Sequence, residues 1–543
     1  MLFRQFVAHL HCILPLFSCI DASALTVETF ALSKRQAPGA SNGVEFLSFR
    51  LPVLNNAGEV AFVGRLSGTA IDETNDRGIW TGAMNNLRLV AREGSAAPDT
   101  PIGAIFTEFS TRPQLNDVGQ VLLEGTITGP SVTEANDHGL WVDKRDGLAL
   151  VVREGDVAPI SPSGSTYGEF GQHSLNSSGV VAFSTGLRPD TPGNDLSLWV
   201  ATADEQLLIA KTGDTPFGAP EGAPFEFVRF GSPGINDNGD SIFQAQTSSN
   251  GDLGPSISSI WSGSPGNIRL VLKEGDPAPG TGRTVTSISF PVMNNSGTIA
   301  FGATLDAVTR GSIWKVGANG ISILAKQNDV APGLAFGTRF DNFGHPKLNE
   351  NGDIVFKARL YGGGVTNAND SSIWTHAGGE LAILAREGDQ APGAATGKLF
   401  PQFLFQPHVL NNAGQVAFFS TLTNNGVPSS NDSGIWMTAG DGALRLVVRT
   451  GTVLELGPGD LRTVVSLAFL GADETSLPVR YDGFNDRGQL AFLAGLSDGT
   501  VGVFVAQIPE PSSMSLFVIA LVLQLFRFHR TRTCPTTALS RFP

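Results

Sequence analysis

Asn411-Asn412-Ala413-Gly414-Gln415-Val416-Ala417-Phe418 is one of eight copies of a single phrase, an Asn-x-x-Gly turn that runs into an apolar strand ending near a phenylalanine. The copies start at Asn55, Asn116, Asn176, Asn236, Asn294, Asn349, Asn411 and Asn485, at intervals of 61, 60, 60, 58, 55, 62 and 74 residues. A fixed period of this size means one supersecondary unit used repeatedly. Asparagine tolerates left-handed backbone and bonds its own main chain, and glycine supplies positive φ, so the phrase joins two antiparallel strands at low strain.

Each unit reads as four strands. The first leads into the turn, as in Phe290-Pro291-Val292-Met293-Asn294, and the second alternates, as in Thr298-Ile299-Ala300-Phe301-Gly302-Ala303. That period of two is the signature of a strand. A loop of variable length follows. The third strand carries a tryptophan (Trp80, Trp141, Trp199, Trp261, Trp314, Trp374, Trp436), with Phe504 in the eighth place. The fourth is a run such as Leu381 to Arg386, closed by Glu387-Gly388-Asp389-Gln390-Ala391-Pro392-Gly393. One aromatic per unit is the expected packing residue between neighbouring sheets.

Eight four-stranded units predict an all-β, eight-bladed β-propeller. The ends of the array favour a ring: Leu25 to Leu32, followed by Ala37-Pro38-Gly39, matches a fourth strand and its exit loop but precedes the first complete unit. The last unit has its turn at Asn485 and its Phe504 strand, then no fourth strand of its own. The N-terminal strand is therefore expected to close the last blade. An open solenoid is the alternative; it needs capping units and leaves the split repeat unexplained.

The second-strand phrase and the Glu-Gly-Asp-x-Ala-Pro-Gly phrase resemble a family of secreted bacterial proteins with tandem Asn-x-x-Gly-x-x-x-Ala-Phe repeats and varied anchor types. The resemblance covers nearly the whole mature chain; it implies architecture and location, and no activity.

The two ends read as addresses. Residues 1–24 have the form of a signal peptide: Arg4, an apolar stretch from Cys12 to Ile20, then Ala22-Ser23-Ala24 as a small-residue cleavage site. A rival reading makes Leu16-Phe17-Ser18-Cys19 a lipoprotein box with Cys19 acylated. Residues 25–508 form the repeat domain, and residues 509–543 a tail: Pro509-Glu510-Pro511, the apolar run Met514 to Phe526, then Arg527, His529, Arg530 and Arg532. A run this short is a marginal span, and the arginines fit the cytoplasmic side. The order resembles the PEP-CTERM sorting signal of Gram-negative bacteria that make exopolysaccharide. That resemblance implies an exosortase-type processing enzyme as partner and export to the cell envelope, with Pro509, Glu510, Pro511, Arg527 and Arg530 recognised and none of them catalytic.

Composition narrows the function. Of 543 residues 16% are charged, with a net charge of -14, which argues against a nucleic-acid partner. No cysteine lies between Cys19 and Cys534, so the repeats are expected to hold together by packing and sheet hydrogen bonds.

Candidate chemistry lies in three places. On the face of the fourth-to-first and second-to-third loops, a charged rim is expected: Arg153, Glu154 and Asp156; Lys273, Glu274 and Asp276; Arg386, Glu387 and Asp389. A ring of charges suits a divalent cation or a sugar polymer, whereas a feature copied into every blade is more simply scaffold, each base pairing with an acid nearby. His173, His408 and Asp482 stand three residues before their turn asparagines, where the other five units have proline, and are candidate channel or ligand residues. The segments Asn75-Asp76, Asn136-Asp137, Asn369-Asp370 and Asn431-Asp432 offer oxygen ligands that suit calcium, but without calcium-loop spacing, and Asx turns explain them more simply. There is no zinc-type Cys/His cluster, phosphate loop or Gly-x-Ser-x-Gly motif in the sequence. No cofactor and no catalytic residue is assigned. The leading expectation is a non-enzymatic surface propeller, sorted by its tail, with a binding or structural role in the envelope or exopolysaccharide matrix; its partners are expected to be extracellular polysaccharide or another surface protein, and the membrane through its tail. A polysaccharide hydrolase or lyase is the alternative.

Overall fold

A computed structural model of the chain describes residues 26–507, apart from residues 111, 160–163, 189–195, 217–223, 228–233, 249–255, 307–310, 402, 404–407, 423–431 and 470–482. Every regular element among the described residues is a β-strand, and these form eight antiparallel sheets. Blade 1 is representative: Glu45–Phe49 with Val53–Leu54, then Val60–Ser67, Arg77–Gly82 and Arg88–Arg92, in that spatial order from the axis outward. The chain is an eight-bladed β-propeller. Among the described residues no helix is long and apolar enough to cross a membrane. The signal peptide and the sorting tail lie outside the described residues.

Closure follows the split repeat. The N-terminal strand Thr26–Leu32 pairs with Val501–Gln507 as the outer strand of blade 8, from Thr26 opposite Gln507 to Leu32 opposite Gly502. The last blade thus holds the first strand of the chain, and the sheet edge left by Val501–Gln507 is covered.

The first strand of a blade is commonly broken by its proline. In blade 1 pairing resumes only at Val53, opposite Ala61, because Pro52 has no N–H to give the ladder. In blades 3 and 7 a histidine stands at that place and joins the ladder, His173 opposite Phe183 and His408 opposite Phe418.

The core is divided among the seams. Eight apolar clusters each span two neighbouring blades; one joins Val53, Ala61 and Ile79 of blade 1 to Phe106, Leu115 and Trp141 of blade 2. All seven tryptophans are fully buried, as is Phe504. A buried indole needs a partner for its N–H, and the chain supplies one in two ways. In blades 3 to 6 a serine two residues earlier accepts it, as Ser372 Oγ does from Trp374 Nε1 at 2.8 Å. In blades 1, 2 and 7 that place is glycine, and the indole reaches the carbonyl of Pro38, Pro98 or Pro392 in the loop that folds over the blade.

Candidate functional site

The turn asparagines meet around the axis. Each is almost wholly buried, and its Nδ2 donates to the backbone carbonyl of the corresponding asparagine in the next blade: Asn55 to Asn116, Asn116 to Asn176 and Asn176 to Asn236, each at 3.0 Å. The series continues from Asn236 to Asn294 at 3.4 Å, Asn294 to Asn349 and Asn349 to Asn411 at 3.0 Å, and Asn411 to Asn485 at 2.9 Å. It closes with Asn485 Nδ2 on the carbonyl of Asn55 at 2.9 Å. Within its own turn Asn55 Oδ1 accepts the N–H groups of Ala57 and Glu59, at 3.0 and 2.9 Å, and Gly58 sits at φ +84°. The amide thus uses donors and acceptors together, which aspartate cannot do.

The residues after these asparagines form a second ring at the channel mouth. In order they are Asn56, Asp117, Ser177, Asp237, Asn295, Glu350, Asn412 and Asp486, so carboxylates alternate with amides and one hydroxyl. Seven of these side chains accept the N–H of the preceding blade's ring residue, Asp486 N to Asn56 Oδ1 at 2.8 Å for example. Side-chain bonds add to it: Asn56 Nδ2 lies 2.7 Å and Asn412 Nδ2 2.9 Å from Asp486 Oδ2. Leu54, Leu175, Ile235, Met293, Leu348, Leu410 and Phe484 line the same cavity, whose volume is about 150 Å³. The sequence reading missed this ring, although its signal was present as polar residues one place after every turn asparagine.

The charged rim forms on the opposite face, and most of it is held within single blades. Arg153 pairs with Asp156 and Lys273 with Asp276, each at 3.1 Å within one turn. Arg386 Nε donates to the carbonyl of Asn369 at 2.8 Å. Burial raises the Asp389 carboxyl above its ordinary range, with Arg386 pulling the other way. Glu274 and Glu387 each accept an N–H near the start of their blade's third strand, Ser258 and Ser371, at 3.1 Å. Glu387 is raised chiefly by burial.

Blade 2 departs from this pattern. Its Glu154 is 3% exposed and reaches across the seam, with Oε1 2.6 Å from Arg188 Nη2 of blade 3. The other oxygen lies 3.6 Å from His138 Nδ1, which is 2.8 Å from Asp137 Oδ1. Burial raises Glu154, opposed by the charge of Arg188. In blades 1 and 6 the aspartate before the third strand is tied to an arginine of the second, Asp76 to Arg65 at 2.6 Å and Asp370 to Arg359 at 2.9 Å. Thr126 occupies that position in blade 2, opposite His138, and Asp137 turns to the histidine.

The other expected site residues do not converge with this seam. His173 is a ladder residue whose Nδ1 is buried without a hydrogen bond, and desolvation lowers it to about 4. His408 is buried in the first strand of blade 7. Asp482 lies outside the described residues. In two of the Asn-Asp segments the asparagine closes the loop that precedes it and forms no Asx turn: Asn136 Oδ1 accepts Thr133 N–H and Asn369 Oδ1 accepts Thr366 N–H, each from three residues earlier and at 2.8 Å, while Asn431 lies outside the described residues.

A sequence profile for the family described as "Family of unknown function (DUF7453)" matches residues 23–216, 190–312 and 306–515. No curated protein matches. Among solved structures the chain is similar to the β-propeller domain of the Trilobed protease from Pyrococcus furiosus, at 9% identity over 76% of this chain and 97% of that one, TM-score 0.38. It is also similar to an acylaminoacyl peptidase of Pyrococcus horikoshii, at 10% identity over 74% of this chain and 53% of that one, TM-score 0.37. A third likeness is to the WD40 domain of SCAP from fission yeast, at 9% identity over 89% and 98%, TM-score 0.36.

Proposed function

The chain belongs to this family of unknown function, and from that premise we propose that it is an exported, surface-sorted binding propeller without catalytic activity. Its role is to hold a hydroxyl-rich polymer of the envelope or extracellular matrix. The alternating carboxylate and amide ring at the channel mouth is the observation that carries this reading. Donors and acceptors on a rigid closed frame suit sugar hydroxyls, which both give and accept hydrogen bonds. The frame is fixed by the asparagine bonds, so little ordering is left to oppose binding. Export and sorting rest on the signal-like residues 1–24 and on the tail with Pro509, Glu510, Pro511, Arg527 and Arg530. The partners are then an exosortase-type enzyme and the membrane.

The second reading, a polysaccharide hydrolase or lyase, is favoured by one feature, the joint presence of Asp137, His138 and Glu154 at the seam of blades 2 and 3. A glycan-binding screen on the purified full-length protein, with product analysis of every polymer that binds, separates the two. Retention of an intact polymer supports the binder; shortened or unsaturated products overturn it. Cell fractionation of wild type and of a Glu510→Ala variant in an exosortase-bearing host tests the sorting.

A further inference from the structure

We propose that Asp137, His138 and Glu154 form a binding site for one divalent metal ion of borderline hardness, of the zinc or manganese type, at the seam between blades 2 and 3. The three side chains offer Asp137 Oδ1, His138 Nδ1 and Glu154 Oε2, and one ligand atom from each lies within 4.8 Å of the others. Ligands about 2.1 Å from a common ion stand no more than about 4.2 Å apart. The pairs at 2.8 and 3.6 Å already meet that limit, and the remaining pair stands within 4.8 Å, at most a few tenths of an ångström beyond it. One imidazole and two carboxylates are the donor set of zinc, manganese and iron; calcium favours an all-oxygen shell.

Three further observations point the same way. First, Glu154 is buried, and its two oxygens face different groups: Arg188 holds Oε1 at 2.6 Å, which orients the carboxylate and leaves Oε2 on the side of the histidine. An outer partner that fixes a ligand in this way is usual at metal centres. Second, the carboxylates of Asp137 and Glu154 both face the same ring nitrogen, His138 Nδ1, at 2.8 and 3.6 Å. Two carboxylates thus converge on one imidazole nitrogen, and a cation there relieves their mutual repulsion. Third, blade 2 lacks the arginine that takes up the equivalent aspartate in blades 1 and 6, so of these three blades it is blade 2 whose acid is turned toward a histidine. The side chains of Asp137 and His138 are 22% and 41% exposed, which gives the ion a way in and leaves coordination positions to solvent.

The test uses the full-length protein, chelated free of metal and with Cys12, Cys19 and Cys534 alkylated so that thiols do not compete. Titration calorimetry with Zn²⁺, Mn²⁺ and Ca²⁺ is run on wild type, Asp137→Asn, His138→Ala and the blade 4 control Asp276→Asn. One Zn²⁺ or Mn²⁺ per chain is expected, weakened about ten-fold or more in the two ligand variants and unchanged in the control, with Ca²⁺ weaker than Zn²⁺. Absence of saturable Zn²⁺ and Mn²⁺ binding, equal affinity in wild type and both ligand variants, or tighter binding of Ca²⁺ overturns the proposal. Because Glu154 is buried and Glu154→Gln endangers the fold, the two solvent-facing ligands carry the comparison. Metal-free melting temperatures of the variants are compared with that of wild type, so lost binding with unchanged folding is read as loss of the site.

Discussion

Asn485 and Asn55 are 430 residues apart in sequence, and the Nδ2 of the first lies 2.9 Å from the carbonyl oxygen of the second. This bond is the last of eight identical ones and makes the turn of each blade depend on the next. Replacing Asn485 by Asp removes the donor and sets a buried negative charge against a carbonyl oxygen. A loss of roughly 3–5 kcal/mol is expected, more than for Asn485→Ala, which forfeits the bonds without adding a charge. Urea unfolding of both variants measures it; equal stabilities would show that the buried amide has no special part in the ring.

The N-terminal strand closes blade 8 by its ladder with Val501–Gln507 and by a bond from Val501 N–H to Ser33 Oγ at 2.9 Å. A chain beginning after residue 33 loses this cover and exposes the edge of Val501–Gln507, while Phe30 and Ala31 leave the core shared with blade 1. Lower melting temperature and concentration-dependent association are expected, because an uncovered edge pairs with other chains. Size-exclusion chromatography across a dilution series detects it, and an unchanged monomer with wild-type melting would refute the closure role.

Much of this fold was legible because it repeats. The turn glycines, the tryptophan of each third strand and the unpaired strand at Leu25 to Leu32 each make sense within one unit, and together they predicted a closed ring. The carbonyl that accepts from the Nδ2 of each turn asparagine across the seam lies 55 to 74 residues away, or 430 at the closure. The phrase therefore reads as a local turn and conceals its place between blades. The seam was hidden for the same reason. Glu154 was visible as a rim residue, but Arg188 comes from the next blade and His138 carries no motif, so only the folded chain brings them together. The rim itself repeats and is largely occupied by pairs within single blades, as Arg153 with Asp156 illustrates.

His173 gives a pH signature. Its folded value of about 4 lies below the ordinary imidazole value of 6.5, so between these pH values the unfolded chain takes up a proton that the folded chain does not. This residue's effect on stability is absent above about pH 6.5 and becomes unfavourable on acidification, reaching about 3 kcal/mol near pH 4 by the usual 1.36 kcal/mol per pH unit. The buried carboxyls Glu93, Glu154 and Glu387, raised above their ordinary range, act in the opposite sense, so the comparison must be between variants. His173→Gln is expected to lose less stability than wild type from pH 7 to pH 4 in denaturant titrations. Parallel pH curves would remove His173 as a desolvated group.

The two ways of satisfying a buried indole make a final prediction. A Cβ added to Gly434 would stand 2.7 Å from the Trp436 ring, because the ring leans over that glycine to reach the Pro392 carbonyl at 3.0 Å. In blade 6 Ser372 fills the equivalent position; its hydroxyl accepts from Trp374 Nε1 at 2.8 Å and donates to the Ala358 carbonyl at 2.9 Å. Gly434→Ser must displace the indole and is expected to cost about 1–3 kcal/mol through overpacking. Ser372→Gly strands a buried N–H and frees a strand residue, for a loss of about 1–3 kcal/mol by a different route. Thermal melts of the two single variants measure both losses, and tryptophan fluorescence should shift more for Gly434→Ser, where the ring itself moves. If either exchange is neutral, serine and glycine are interchangeable there, and the indole is not held by the bond assigned to it.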